Sequence, residues 1–102
     1  MPRHMRQYWA PRKGRVELNF NWDAIQGRSV VNVSASECNR PEASPENTRR
    51  FVGAATVKVC NVSPHSNPGG VTFVVQIDWG DPIPFVTDIT LFDELPEQTL
   101  AQ

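Results

Sequence analysis

Two stretches in which apolar and polar residues alternate constrain the fold of this chain more than any other feature. Every second position from 71 to 79 is apolar, and a similar alternation runs from 15 to 23. A two-residue period places alternate side chains on one face of a β-strand. The apolar faces predicted in this way consist of Val16, Leu18, Phe20 and Trp22 in the first stretch, and Val71, Phe73, Val75, Ile77 and Trp79 in the second.

Turn-forming residues separate these stretches from other segments with strand character. Strands are predicted near 15–22, 29–35, 51–62, 71–79 and 85–92. The third and fourth are expected to form a hairpin across the Pro- and Gly-rich residues 63–70. The inward face of 85–92 stays open, because large apolar side chains occur in both of its registers.

Helix is expected only as single turns. Asp23–Gly27 has an Asp cap and a Gly stop, and Ser44-Pro45-Glu46 resembles a helix start inside the irregular stretch 36–50. Five strands without a long helical pattern predict an all-β protein. We expect a small immunoglobulin-like β-sandwich of about five to seven strands, with a small β-barrel as the alternative.

The charges are concentrated at the two ends of the chain. The chain has 102 residues and a net charge of -1, yet residues 1–15 carry five cations and no acid, while residues 78–102 carry six acids and no base. We therefore predict a basic, aromatic-containing arm at 1–14, a β-sandwich domain at 15–95 and an acidic or polar tail at 96–102. No apolar run approaches the roughly 20 residues of a membrane helix, so no membrane contact is expected.

The basic arm is the predicted binding element. Tyr8 and Trp9 are unfavourable in a fully solvated tail, and Arg6 and Arg12 flank them. We expect residues 6–12 to add along a sheet edge, in cis or onto a second copy, with Arg6 or Arg12 near the acidic tail. Stacking of Trp9 on nucleic-acid bases is less favoured, because the body of the chain supplies no basic face.

Acidic residues near the end of the fourth strand are the candidate metal ligands. Asp78 and Asp81 flank Trp79-Gly80, and Asp88 follows in the next strand. Loop carboxylates at one end of a sandwich can bind Ca²⁺, although turn formation and strand solvation explain the same residues. No cofactor is expected, since no Gly-rich phosphate loop, HExxH or CxxC motif occurs.

The other reactive side chains are expected to be structural. His65 is placed in an exposed loop, while Trp22 and Trp79 are placed in the core. Cys38 is placed in a mobile loop and Cys60 on the polar face of its strand, both as free thiols, which favours a cytoplasmic location.

Three functions remain open from the sequence. The first is a non-enzymatic β-sandwich binding or assembly module that contacts a protein partner, or a second copy, through its sheet edges and the 36–50 loop. The second is a carbohydrate- or Ca²⁺-binding or hydrolytic domain that uses Asp78, Asp81 and Asp88. The third is a weak nucleic-acid accessory protein that uses the basic arm.

Overall fold

The computed structural model describes residues 2–39 and 48–101. Its strands form two antiparallel sheets, and the described residues include no helix, so the all-β prediction is confirmed. Sheet A has the order β1-β7-β3-β4, and sheet B has the order β2-β6-β5. The strands are β1 (Arg3–Arg12), β2 (Gly14–Asn21), β3 (Val30–Cys38), β4 (Arg50–Phe51), β5 (Thr56–His65), β6 (Gly70–Asp78) and β7 (Ile83–Phe92).

Consecutive strands of the chain pass from one sheet into the other. β1 and β2 are separated by one residue, yet β1 pairs with β7 in sheet A and β2 pairs with β6 in sheet B. β6 and β7 follow each other in the same way, with the four residues 79–82 between them. β3 lies on the other side of β7, and β5 lies on the other side of β6. Each of them is antiparallel to that neighbour. The main architecture is therefore one antiparallel layer of three chain segments (β1 with β2, β7 with β6, and β3 with β5). This layer is folded over, so that one half forms sheet A and the other half forms sheet B.

Gly14 is the residue at which the chain bends as it passes from β1 into β2. Its φ is +74°, a left-handed conformation that glycine adopts without the steric cost of a Cβ atom. Arg12 lies opposite Ile83 and Gly14 lies opposite Ile77. Residues 78–82, which connect Ile77 with Ile83, therefore turn the same corner. The ammonium group of Lys13 donates to the carbonyl of Gly80 at 3.3 Å and ties the two paths together there.

Residues 22–29 close the end of the fold opposite this corner, where they connect β2 in sheet B with β3 in sheet A. Ile25 in this connection is only 2% exposed and belongs to the core. The chain approaches the β5–β6 turn so closely that a Cβ atom on Gly69 would clash with the carbonyl oxygen of Ile25. Only glycine fits at position 69 without displacing this connection.

The core lies between the inner faces of the two sheets. The predicted alternation is confirmed for β6, since Val71, Phe73, Val75 and Ile77 are all buried in one cluster. The open register of β7 is settled by Phe85, Ile89 and Leu91, which lie in the same cluster. Burial of these side chains supplies the main favourable free energy of folding.

β1 joins this core through one aromatic residue. Trp9 stacks on Phe85 with ring centroids 6.1 Å apart, and meets Phe73 edge-on at 6.4 Å. The indole Nε1 donates to Thr87 Oγ1 at 2.9 Å, so the polar atom of the ring is also satisfied. The expected addition of residues 6–12 along a sheet edge is confirmed, and it occurs in cis.

Several expectations need correction. Trp79 is 46% exposed and not in the core, because β6 ends at Asp78 where the chain turns the corner. The strand predicted from 51 to 62 begins only at Thr56, because Arg50–Phe51 pairs with β3 as the separate strand β4, and the Ala55 amide donates to the Glu37 carboxylate. Cys38 is buried at the end of β3 and not in a loop.

The two expected helical segments have different outcomes. Around Asp23–Gly27 the structure has turns and no helix. The turn expected at Ser44-Pro45-Glu46 lies outside the described residues.

We predict that Trp9→Ala lowers the free energy of unfolding by about 3 kcal/mol, because it removes a large side chain from a packed aromatic site. Urea unfolding followed by circular dichroism measures the change. Trp79→Ala is the matched control, and for this exposed side chain we expect a change within about 0.5 kcal/mol. Equal losses for both variants would show that Trp9 does not anchor β1.

Candidate functional site

Asp88 occupies the centre of the outer face of sheet A. In the strand register it lies between Arg6 on β1 and Ser34 on β3. The Arg6 guanidinium donates twice to the carboxylate, from Nε to Oδ1 at 2.6 Å and from an Nη atom to Oδ2 at 2.9 Å. This two-pronged geometry is the strongest form of an Arg–carboxylate pair.

A second arginine reaches the same carboxylate from β4. Arg50 donates from one Nη atom to Asp88 Oδ2 at 2.6 Å and to Ser34 Oγ at 3.0 Å, while its Nε donates to Ser36 Oγ at 2.9 Å. Asp88 therefore connects β1, β7, β3 and β4 across one face. We call Arg6, Arg50 and Asp88, with Ser34 and Ser36, the Asp88 cluster.

The two guanidinium groups hold Asp88 in its ionised form. The hydrogen bonds from Arg6 lower the pKa of Asp88, and the hydrogen bond from Arg50 acts in the same direction, while partial burial opposes them. The same contact with Asp88 raises the pKa of Arg6. A carboxylate stabilised as the anion in this way is a poor general acid or base at neutral pH.

Next to the Asp88 cluster, the outer face of sheet A carries a small buried patch. Val86 and Cys38 are buried, and so is Thr48. The Tyr8 hydroxyl donates to the Thr48 carbonyl at 3.4 Å. Burial raises the pKa of the Cys38 thiol, and Glu37 adds to this rise. Cys38 is thus a packed, weakly acidic thiol.

The predicted acidic site is not assembled. Asp88 faces two arginines on sheet A, whereas Asp78 ends β6 and Asp81 lies exposed in the corner connection. Within residues 2–39 and 48–101, no group of three His, Cys, Asp or Glu side chains is arranged to hold a metal ion.

His65 belongs to β5 and not to an exposed loop, which corrects the expectation for this residue. Its Nδ1 lies 2.8 Å from the carbonyl oxygen of Pro68, and its Nε2 lies 2.7 Å from Asn19 Oδ1. The same Asn19 oxygen accepts from Thr72 Oγ1 at 3.1 Å. These contacts link the three strands of sheet B on its outer face.

The remaining candidate surfaces are the edges of the two sheets, which differ in how they are protected. In β1, pairing with β7 runs in unbroken register from Arg3 to Trp9, and Pro11 and a register shift between Trp9 and Arg12 interrupt it near the end of the strand. In β5, Pro64 and a register shift between Cys60 and Ser63 do the same, and β4 has only two residues. Proline, bulges and short strands are the usual means of preventing edge-to-edge pairing.

β2 has none of these protections. Its eight residues pair with β6 in unbroken register from Gly14 opposite Ile77 to Asn21 opposite Gly70. It contains no proline, and in the described part of the chain it has no strand partner besides β6. Its core-facing Val16 and Phe20 are only half-buried. We call Gly14–Asn21 the β2 edge.

The residues predicted for the arm separate onto different surfaces. Arg6 and Tyr8 lie on the outer face of sheet A, Trp9 lies on the inner face, and Arg12 lies exposed at the corner. Arg6 pairs with Asp88, which lies in β7 and not in the acidic tail predicted at 96–102, and Arg3 meets Asp93 at 3.1 Å. Sequence reasoning missed Arg50, because only the strand register brings it to Asp88.

Comparisons with protein-family models, with curated proteins and with solved structures give no match for this chain. In the part of the chain that the structure describes, there is no helix of the length and apolar character needed to span a membrane.

We predict that Asp88→Asn lowers the free energy of unfolding by about 2 kcal/mol at pH 7, because it removes charged hydrogen bonds from two arginines. The folded-state pKa of Asp88 is lowered, so this stabilisation is present above the unfolded pKa of about 4 and is lost as the pH falls through the folded pKa. The gap between the native protein and the variant should therefore close in acid. Urea unfolding between pH 2 and 7 measures it, with exposed Asp78→Asn as control. A gap that is independent of pH would contradict the assignment.

Both cysteines are free thiols, as predicted. We predict that a thiol reagent labels Cys60 well before Cys38 in the folded protein, because Cys38 is buried and its pKa is raised. Peptide mass spectrometry after timed alkylation measures the two rates, and alkylation in denaturant is the control. Equal rates in the folded protein would be inconsistent with a packed Cys38.

Proposed function

We propose that this protein is a non-enzymatic binding and assembly module, which accepts an extended protein segment on the β2 edge. The observation that carries the proposal is the contrast between this edge and the others. β1 has a proline and a register shift near its end, and β5 has a register shift near its middle and a proline near its end, whereas β2 is regular along all eight residues. An extended segment added to such an edge gains main-chain hydrogen bonds and contacts for alternate side chains.

The state of the titratable groups supports a non-enzymatic role. Asp88 is held as an anion between Arg6 and Arg50. Both ring nitrogens of His65 lie within hydrogen-bond distance of Pro68 and Asn19. A general base needs a free position within reach of a substrate proton, and these contacts occupy the relevant atoms.

The charge pairing also favours a protein partner over nucleic acid. Arg3 and Arg6 of the basic segment are paired with Asp93 and Asp88. Phosphate binding depends on cations that are available to displace counterions. The two pairs reduce that capacity, so we do not favour the nucleic-acid alternative.

The proposal also includes a type of β fold, a contact loop and a cellular location. Two antiparallel sheets with their apolar faces together favour an immunoglobulin-like sandwich, while the passage of β1–β2 from one sheet to the other is a feature that a small barrel shares. Of the 36–50 loop, the proposed contact surface includes only the residues at its two ends that the structure describes. The free thiols of Cys38 and Cys60 favour a reducing compartment, and we place the module in the cytoplasm.

We predict that a synthetic eight-residue peptide of alternating valine and threonine adds to the β2 edge. Two-dimensional NMR of the full chain during titration should show changes concentrated in Gly14–Asn21 and smaller changes along β5. A peptide with proline at alternate positions is the control, because proline lacks the amide that a ladder needs. Equal changes along β5, or no changes along β2, would refute the proposed function.

A further inference from the structure

We infer that the partner on the β2 edge is a second copy of this chain, paired antiparallel to β2 in a register centred on Leu18. This inference rests on the proposed function of the β2 edge and adds the identity of the occupant. The faces, the length of overlap and the charges of Gly14–Asn21 support it.

The two faces of β2 restrict the possible registers. Val16, Leu18 and Phe20 point toward the core, while Arg15, Glu17 and Asn19 point outward. Residues directly opposite each other in an antiparallel pair lie on the same face. A symmetric pair must therefore be centred on a residue, because a shift by one position would set core-facing side chains against solvent-facing ones.

The length of overlap leaves two of the remaining registers. β2 leaves the sheet at Gly14, where the chain bends into sheet A, and it ends at Asn21. A pair centred on Val16 or on Asn19 would therefore match only about five residues of each strand. Registers centred on Glu17 or Leu18 match about seven, which makes them the longest that this edge allows.

Charge decides between these two registers. A pair centred on Glu17 sets that carboxylate directly opposite its copy, and like charges in this position are destabilising. In the register centred on Leu18, Glu17 lies opposite Asn19 and Arg15 lies opposite Asn21, so no like charges meet. On the core side, the half-buried Val16 and Phe20 come opposite each other and cover their exposed parts.

The experiment changes the charge opposite Arg15 in the full-length protein. Asn21 is exposed, and its Oδ1 accepts a hydrogen bond from Asn19 that an aspartate at this position can also accept. Asn21→Asp places an acid opposite Arg15 twice in each dimer, so the dimer dissociation constant should fall about threefold to tenfold. Asn21→Lys should raise it by a similar factor, and Arg15→Glu combined with Asn21→Lys should restore dimerisation. Sedimentation equilibrium at low salt measures these constants.

Lys58→Glu on the β5 edge is the matched control and should leave the dissociation constant unchanged. Circular dichroism confirms that each variant is folded, and the native chain and Asn21→Asp decide the question if Asn21→Lys is not. A native chain that is monomeric at millimolar concentration would overturn the inference, as would equal shifts for the two Asn21 variants. If the chain is monomeric but the peptide still binds β2, the proposed function stands and only the second copy is excluded. If neither binds, both fail.

Discussion

The fold depends on the close contact between the two halves of a three-stranded layer that bends at Gly14. Neither half has a core of its own, since Phe73 and Val75 of sheet B pack against Phe85 and Ile89 of sheet A. The bend needs a residue that adopts positive φ without strain. At the opposite end of the fold, Ile25 in the connection between β2 and β3 closes the core. The bend also separates the outer side of β2, in sheet B, from the Asp88 cluster, which lies on sheet A.

The alternation of apolar residues made part of this fold predictable. β2 and β6 follow from it because their inner faces are apolar and their outer faces mostly polar. β1 has no such pattern: its residues Arg3–Gln7 are polar or exposed, and the segment becomes a strand because β7 supplies hydrogen bonds along it. β7 was ambiguous because Val86 is apolar on the outer face, where neighbouring residues bury it.

The candidate site was less predictable than the fold, because it depends on register. The sequence indicates Asp88 as a candidate metal ligand and Arg6 as a cation near the acidic tail, but their pairing requires position 6 of β1 to face position 88 of β7. Arg50 lies in a two-residue strand that no periodicity reveals. The error at Trp79 has a similar origin, since an alternating pattern does not show where the strand leaves the sheet.

The position of β6 and β7 in the chain has a consequence for synthesis on the ribosome. These two strands are central in their sheets, yet all their neighbours precede them in sequence. The earlier strands therefore emerge first without the partners that complete either sheet. Native pairing in sheet A waits for residues as late as Phe92, so the chain must stay unaggregated until both halves can assemble together. The prolines of β1 and β5 lack the amide that strand pairing needs, so they disfavour edge pairing during this interval as well as in the folded protein.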